Sequence, residues 1–236
     1  MYIYAVVVEG KDYYTDTLGQ GYGKTKLRLE KLTGQRCLIA PFGEVNLQLI
    51  KELNPHALVI SGYGQKTHTF DISSFYGLDE IIRLGDIPIL GLCGGHQIIG
   101  FSLNKDIRNI ERLYAEPIKV LDYGTGGPYH SHEPDVYTFV ASGMYPIKRL
   151  KDDPIFNELP ETMLMQCSHH CEVKKLPEGF EILAESEHCG IEAMRHKSRP
   201  IYGTQFHPEE YREPFFHGRK LLENFAAIAD DFWANK

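Results

Sequence analysis

A single cysteine, Cys93, lies between glycines at the point where an apolar run, 87–92, ends and a segment of helical character begins. The frame Gly91-x-Cys93-x-Gly95 is the cysteine form of the nucleophile elbow, a sharp turn between a strand and a helix. Glycines suit such a turn because neighbouring side chains would clash there. The start of a helix also favours a thiolate over a thiol, and the N–H of Gly94 can point at a developing oxyanion. The pattern therefore predicts a nucleophilic cysteine.

A histidine and a carboxylate two residues apart, His207 and Glu209, are the partners that such a cysteine would need. Residues i and i+2 of an extended backbone point to the same side, so Glu209 can orient the imidazole while His207 faces Cys93. This is the nucleophile, base and orienter set of thiol acyl chemistry. The alternative is a buried structural cysteine in a glycine-rich turn, because free cysteine often packs as a small apolar side chain.

The segments 91–97 and 203–209 together resemble the class I (triad) glutamine amidotransferases, and looser similarity covers 39–112 and 145–232. The segment 165–173 is most similar to the GMP synthase type of glutaminase domain. The resemblance implies hydrolysis of L-glutamine to glutamate and ammonia through a γ-glutamyl thioester. It implies that Cys93 is the nucleophile, that His207 is the general acid and base, and that Glu209 orients the imidazole.

The second oxyanion donor of the family comes from a Gly-Gly-Pro loop, and this chain has Gly62-Tyr63-Gly64 at the matching place. The resemblance implies that a backbone N–H of Gly62 or Tyr63 acts together with that of Gly94. A bulky ring stands where the family has a small residue. The sequence therefore leaves undecided whether the oxyanion hole is preformed or is ordered by a ligand or partner. An ordinary glycine turn after a strand is the alternative.

The resemblance also indicates residues that bind the substrate. Gln97 matches a glutamine that helps to bind glutamine, and a side-chain amide suits another amide or an amino-acid head group. Ser168 and His169 match the segment whose backbone meets the α-carboxylate and amino group. For Gln97 the alternative is a polar residue near a helix start. His96 is expected near the site without a catalytic role.

Two stretches rich in histidine, 130–135 and 167–171, raise the question of a metal. The first matches no established ligand spacing, and the second is crowded for a tetrahedral zinc site, which needs loop length between its ligand pairs. We therefore expect no metal and no cofactor. The five cysteines form an odd set without a disulfide framework, and a catalytic thiol fits a reducing cytoplasm.

The length of 236 residues and the 42% hydrophobic content suit one α/β domain. We expect a three-layer, flavodoxin-like fold over 1–236, with a mainly parallel sheet, helices on both faces and an antiparallel extension. The segment 123–142 is expected to be an insertion. The segments 9–34 and 123–142 are where the resemblance is weakest.

The net charge of −7 argues against nucleic acid as a partner, and no apolar run approaches the ~20 residues that a membrane span needs. No synthetase domain is recognised in the chain, so we expect a separate synthase subunit that accepts the ammonia. A stand-alone γ-glutamyl hydrolase or peptidase is the alternative function. A non-catalytic regulatory relative is the third possibility, and the intact set of Cys93, His207 and Glu209 argues against it.

Overall fold

The structure is a computed structural model and describes residues 1–6, 21–64, 67–121 and 137–236. Within these ranges nine strands form one sheet in the order β2-β1-β3-β4-β13-β12-β11-β8-β9. The strands of this sheet are β1 (Tyr2–Val6), β2 (Cys37–Pro41), β3 (Ala57–Ile60), β4 (Ile89–Leu92), β8 (Ala141–Arg149), β9 (Thr162–His169), β11 (Phe180–Glu185), β12 (Ala193–His196) and β13 (Ile201–Thr204). Four short strands form two separate antiparallel pairs: β5 (Glu116–Pro117) with β10 (Cys171–Glu172), and β6 (Val120–Leu121) with β7 (Tyr137–Thr138).

The sheet has a parallel half and an antiparallel half. The strands β2, β1, β3, β4 and β13 pair in parallel. The strands from β13 to β9 pair antiparallel. In the parallel half β3 and β4 are buried on both faces, which explains their continuous apolar sequences. This arrangement confirms the expected mainly parallel sheet with an antiparallel extension.

Five helices pack on the sheet within the described ranges: α1 (Gly23–Thr33), α2 (Leu47–Leu53), α3 (Tyr76–Leu84), α4 (Gly94–Asn104) and α5 (His217–Ala234). Two core clusters lie on opposite faces of the sheet. One holds side chains of α1 and α5, such as Leu29 and Phe225. The other holds side chains of α3 and α4, such as Ile82 and Ile98. The helices therefore cover both faces, as expected.

Local sequence signals set several helix ends. The Asn46 side chain caps α2 by accepting a hydrogen bond from the N–H of Leu49, at 3.0 Å. Gly85 ends α3 in the left-handed region, at φ 66°. In the described part of the chain, every helix is too short or too polar to cross a membrane.

Some sequence interpretations needed adjustment. The sequence predicts one strand over 116–122 and another at 145–150. The structure has two short strands, β5 and β6, in the first place, and the strand in the second place, β8, begins earlier, at Ala141. The apolar residues 1–8 predict a first strand that reaches Val8, and residues 7 and 8 lie outside the described residues. Residues 9–20 and 123–136 of the two segments of weakest resemblance also lie outside the described residues.

Candidate active site

Cys93 occupies the turn between β4 and α4. Its backbone has φ 51° and ψ −102°, a combination that non-glycine residues rarely adopt. The turn is held on both sides: the N–H of Cys93 donates to Thr204 O at 2.7 Å, and the N–H of Gln97 donates to Cys93 O at 3.1 Å. The turn has the geometry of a nucleophile elbow, with the thiol at the start of a helix.

The glycines around Cys93 are explained by close packing. A Cβ atom on Gly95 would lie 2.3 Å from the carbonyl oxygen of Ile60, and one on Gly91 would lie 2.6 Å from the carbonyl group of Gly95. Real Cβ atoms do not approach backbone atoms so closely. The helix α4 can therefore start directly against β3 and β4 only because these positions lack side chains.

His207 and Glu209 follow β13, the strand next to β4. The Nδ1 atom of His207 lies 2.8 Å from Oε1 of Glu209. The pair forms differently from our expectation, because Pro208–Glu210 is a 3-10 turn and not extended backbone. Proline at the first position of that turn favours it. The turn still brings the carboxylate of Glu209 to the imidazole.

Gly62 lies between the cysteine and the histidine. A Cβ atom on Gly62 would be 3.1 Å from Cβ of Cys93 and 3.2 Å from Cε1 of His207. The backbone at Gly62 therefore reaches the point where these two side chains meet. The structure brings Cys93, His207, Glu209 and Gly62 together at the carboxyl ends of β3, β4 and β13, the edge where ligands of open α/β sheets bind.

The charge state of His207 follows from its neighbours. Burial of the imidazole by itself lowers the pKa, but Cys93 and the Glu209 carboxylate outweigh burial and raise the pKa of His207 well above its ordinary value. Both neighbours favour the imidazolium because each accepts a hydrogen bond from the ring and attracts its positive charge. The protonated form of His207 is the form that can give a proton to a leaving nitrogen.

Gln205 is a site residue that the sequence reasoning missed. Its side chain is fully buried, and Nε2 lies 3.6 Å from Sγ of Cys93. Gln97 fixes the orientation of that amide, because Nε2 of Gln97 donates to Oε1 of Gln205 at 3.3 Å and to the carbonyl oxygen of Cys171 at 3.2 Å. The sequence feature that could have indicated Gln205 is its position, because it directly follows β13 and lies two residues before His207.

The Tyr63 ring covers the start of α4. A Cβ atom on Gly94 would lie 2.3 Å from Cε1 of Tyr63, so the ring is in direct contact with the Gly94 backbone. The Tyr63 hydroxyl donates to Oε1 of Gln97 at 3.5 Å. Burial raises the pKa of Tyr63, so the phenol stays protonated and can serve as a donor. The expected oxyanion residues Gly62, Tyr63 and Gly94 therefore lie together around Cys93.

Ser168 and His169 are neighbours on β9 and point to different places. Ser168 is exposed and lines the space near Cys93. His169 has a side chain only 2% exposed, and its Nδ1 lies 3.1 Å from the carbonyl oxygen of Cys171. His96 is fully buried in α4, and desolvation lowers its pKa to about 3, so it stays neutral. The burial of His96 agrees with a packing role and not with proton transfer.

Three possible metal ligands, two on β9 and one just before β12, lie close together within the described ranges. Donor atoms of Cys167, His169 and Glu192 all lie within 4.8 Å of one another. Burial raises the pKa of Glu192 to about 7 and lowers that of His169 to about 4. A structural zinc takes four protein ligands, and this group supplies three. Nε2 of His169 lies 3.9 Å from Oε1 of Glu192, so the two form a buried pair beyond hydrogen-bond distance.

Two cavities meet at this site. A small one, of about 30 Å³, is bounded by Cys93, Gly94 and Gln97 on one side and by Ser168 on the other. An open one, of about 580 Å³, lies on the His207 and Glu209 side. Tyr63 and Ser168 line both cavities. The arrangement suits acyl transfer from an amide, with a nucleophile, an acid and base, and N–H donors around one point.

Comparison with known proteins agrees with this arrangement. The family model "Glutamine amidotransferase class-I" matches residues 28–229. The glutamine-hydrolyzing GMP synthase subunit of Pyrococcus abyssi is 34% identical over 186 residues, which are 78% of this chain and 81% of the relative. The protein of the same name from Methanosphaera stadtmanae is 34% identical over 183 residues, with 78% and 80% covered.

Solved structures show the same likeness. A Thermoplasma acidophilum protein provisionally assigned as a GMP synthase subunit superposes with a TM-score of 0.71 and 25% identity, covering 100% of this chain and 97% of that one. The glutaminase domain of Trypanosoma brucei CTPS with bound acivicin has a TM-score of 0.67, 16% identity and coverage of 98% and 94%, a likeness in fold alone. The chain belongs to the class-I glutamine amidotransferase family, as its two motifs predicted.

Proposed function

We propose that this amidotransferase hydrolyses L-glutamine to glutamate and ammonia through Cys93, His207 and Glu209, and that the ammonia passes to a separate synthase subunit. The observation that carries the proposal is the elbow of Cys93 beside the imidazole, whose Nδ1 lies 2.8 Å from Oε1 of Glu209. The family match over residues 28–229 supports the same reaction.

The proposed reaction has two halves. The thiolate of Cys93 attacks the carboxamide carbon of glutamine and forms a tetrahedral oxyanion. His207 then gives its Nε2 proton to the amide nitrogen and the carbon–nitrogen bond breaks. Ammonia departs, and a γ-glutamyl thioester remains on Cys93. In the second half water loses a proton to His207 and attacks the thioester, so glutamate leaves and the thiolate returns. Glu209 keeps the imidazole oriented and stabilises its charge in both halves.

The oxyanion of both halves would be bound by backbone N–H groups of Gly94 and of the loop at Gly62 and Tyr63. A single donor of this kind typically contributes about 100- to 1000-fold to kcat. Gln97 on α4 and Ser168 on β9 lie beside Cys93 and suit the amino-acid head group of glutamine, with His169 next to Ser168 on β9. We treat residues 1–236 as one such domain, with an insertion around 123–142.

The proposed partner rests on the relatives. Two proteins named as glutamine-hydrolyzing GMP synthase subunits match more than three quarters of this chain, and such a name denotes one part of an assembly. A synthase of the GMP synthase type is therefore the first class of partner to test. The open cavity on the His207 side is the side on which ammonia would leave.

A second candidate is hydrolysis of larger γ-glutamyl amides. It is favoured by the open cavity of about 580 Å³ beside His207, because a leaving amine much larger than ammonia would fit there. Release of ammonia does not need a cavity of this size. Under the first candidate function, the open cavity would be a place that the partner subunit covers.

The deciding experiment is release of glutamate and ammonia by the purified chain from L-glutamine, with γ-glutamyl dipeptides and γ-glutamyl amines assayed in parallel. Glutamine turnover that rises on addition of a GMP synthase-type synthase subunit supports the proposal. Turnover of the dipeptides and amines well above that of glutamine would instead establish the second candidate. If no γ-glutamyl compound is hydrolysed with or without the synthase, the proposal is wrong.

A further inference from the structure

The Tyr63 ring fills the space in front of the nucleophile. It contacts the Gly94 backbone so closely that a Cβ atom at position 94 would lie 2.3 Å from Cε1 and 2.4 Å from Cδ1 of the ring. Its hydroxyl lies 3.5 Å from Oε1 of Gln97. In the proposed function Gly94 binds the oxyanion and Gln97 binds the head group, so the ring stands on the substrate side of Cys93.

The space that remains beside Cys93 is too small for a substrate. The cavity bounded by Tyr63, Cys93 and Gln97 has a volume of about 30 Å³. A cavity of that size holds about one or two water molecules. Glutamine brings an α-amino group, an α-carboxylate and a carboxamide, and all of these must lie near Cys93 at once. The small cavity by itself therefore does not hold a whole glutamine molecule.

Tyr63 is also the wall between this small space and the open cavity. Both cavities are lined by Tyr63 and Ser168, and the open one extends past Gly62 toward His207 with a volume of about 580 Å³. Moving the phenol ring out of its place would join the two spaces. A bound glutamine could then reach Cys93 from the side of His207.

Aromatic rings pack against one side of the Tyr63 ring. On one side Phe70 meets Tyr63 edge to face at 5.3 Å between ring centroids, and Phe70 rests in turn on the buried Phe75 at 5.7 Å. Such ring pairs stabilise the closed position. On the other side a Cβ atom on Gly64 would meet no atom of the described residues within 4 Å.

We infer that Tyr63 is an access-determining residue that occupies the glutamine pocket and must be displaced before glutamine reaches Cys93. The inference rests on the proposed function for the identity of the substrate, but not for the closure itself. Because glutamine binds only the open arrangement, its apparent affinity equals the affinity of that arrangement multiplied by the fraction of molecules that are open. A partner or substrate that stabilises the open position would raise activity by increasing the fraction of molecules that are open.

The test measures access to the thiol directly. The purified chain is treated with iodoacetamide, and alkylation of Cys93 is followed by peptide mass spectrometry. Tyr63→Gly removes the ring, and Tyr63→Ala repeats the test with a stiffer backbone. Tyr63→Phe keeps the ring but not the hydroxyl. Tyr114→Ala is the matched control, since Tyr114 is 53% exposed and lies outside both cavity linings.

We expect Tyr63→Gly and Tyr63→Ala to raise the alkylation rate of Cys93 by about tenfold or more, and to lower the KM for glutamine. Tyr63→Phe and Tyr114→Ala should stay near the wild-type rate. The inference is overturned if Tyr63→Gly and Tyr63→Ala are both folded, as judged by circular dichroism, and Cys93 is alkylated at the wild-type rate in both. Equal acceleration by Tyr63→Phe also overturns it, because the hydroxyl and not the ring would then control access. Faster alkylation without any glutamine turnover upholds the closure and refutes the proposed substrate.

Discussion

Glu209 places its Oε1 atom 2.8 Å from Nδ1 of His207, which leaves Nε2 as the ring nitrogen available to Cys93. The carboxylate thus selects one tautomer of the imidazole when the ring is neutral and stabilises the positive charge when it is protonated. The two roles can be separated by experiment, because one acts on orientation and the other on the pKa.

Replacement of Glu209 tests both roles. Glu209→Gln removes an anion that raises the pKa of His207, so that pKa should fall. The alkaline limb of the kcat/KM profile, where His207 loses its proton, should then move to lower pH. Glu209→Ala should cost less activity than His207→Ala, since the base remains. An unmoved limb in Glu209→Gln, or a larger loss in Glu209→Ala than in His207→Ala, would count against these roles.

Gln205 should contribute through its contact with the sulfur. Its Nε2 lies 3.6 Å from Sγ of Cys93 in a fully buried position, where a hydrogen bond to a charged group matters most. We expect Gln205→Met, which keeps the length but loses the donor, to lower kcat by about tenfold. Steady-state kinetics with glutamine measure this. Gln48→Met, on the exposed surface, is the control, and equal kcat in both variants would refute the contribution.

The buried pair of Glu192 and His169 should give a pH-dependent stability. The pKa of Glu192 is raised from 4.5 to about 7, so the folded chain holds a proton that the unfolded chain has lost, and this term lowers stability as pH rises through that window. The pKa of His169 is lowered from 6.5 to about 4, so its term raises stability as pH rises through 4 to 6.5.

Glu192→Gln removes only the first of these two terms. Relative to wild type, the variant should therefore gain stability between pH 5 and pH 7, on the order of 2 kcal/mol or roughly 4–8 °C in Tm. Thermal unfolding at several pH values measures the difference. Glu187→Gln, whose side chain is 89% exposed, should show no such trend. A constant difference between Glu192→Gln and wild type would mean that the Glu192 carboxyl does not titrate in this window.

The packing of α4 against the sheet should depend on Gly95. A Cβ atom there would lie 2.3 Å from Ile60 O, whereas one on Gly190 would meet no atom of the described residues within 4 Å. We expect Gly95→Ala to destabilise the fold by about 1–3 kcal/mol by overpacking, although alanine is the better helix former. Gly190→Ala should be close to neutral. Denaturant unfolding compares the two, and equal stability would show that the elbow can relax.

The fold and the centre of the site could be read from the sequence because the signals are local. The continuous apolar run 87–92 indicated the strand before the turn, and the glycines around Cys93 indicated the turn itself. The 3-10 turn after His207 was not predicted, because its His–Glu spacing also fits an extended backbone. The closeness of Gln205 to Cys93 depends on β13 lying beside β4, a pairing between distant parts of the chain.

The closure of the site by the Tyr63 ring also could not be predicted from the sequence. The sequence showed a bulky residue where the family has a small one, but not where its ring would point. That direction is set by Phe70 and by the absence of a side chain on Gly94. Such side-chain placement depends on packing in three dimensions and leaves no spacing pattern.

The most direct test of the account is to trap the acyl-enzyme. Wild-type protein is quenched during turnover of glutamine, and the γ-glutamyl adduct is located by peptide mass spectrometry, beside Cys93→Ala and Cys171→Ala. Cys171 is the right control because it is a second thiol on the small cavity. We expect the adduct on Cys93 in wild type and in Cys171→Ala, and neither adduct nor turnover in Cys93→Ala. Retained glutamine hydrolysis in folded Cys93→Ala, or an adduct on Cys171 alone, would contradict the account.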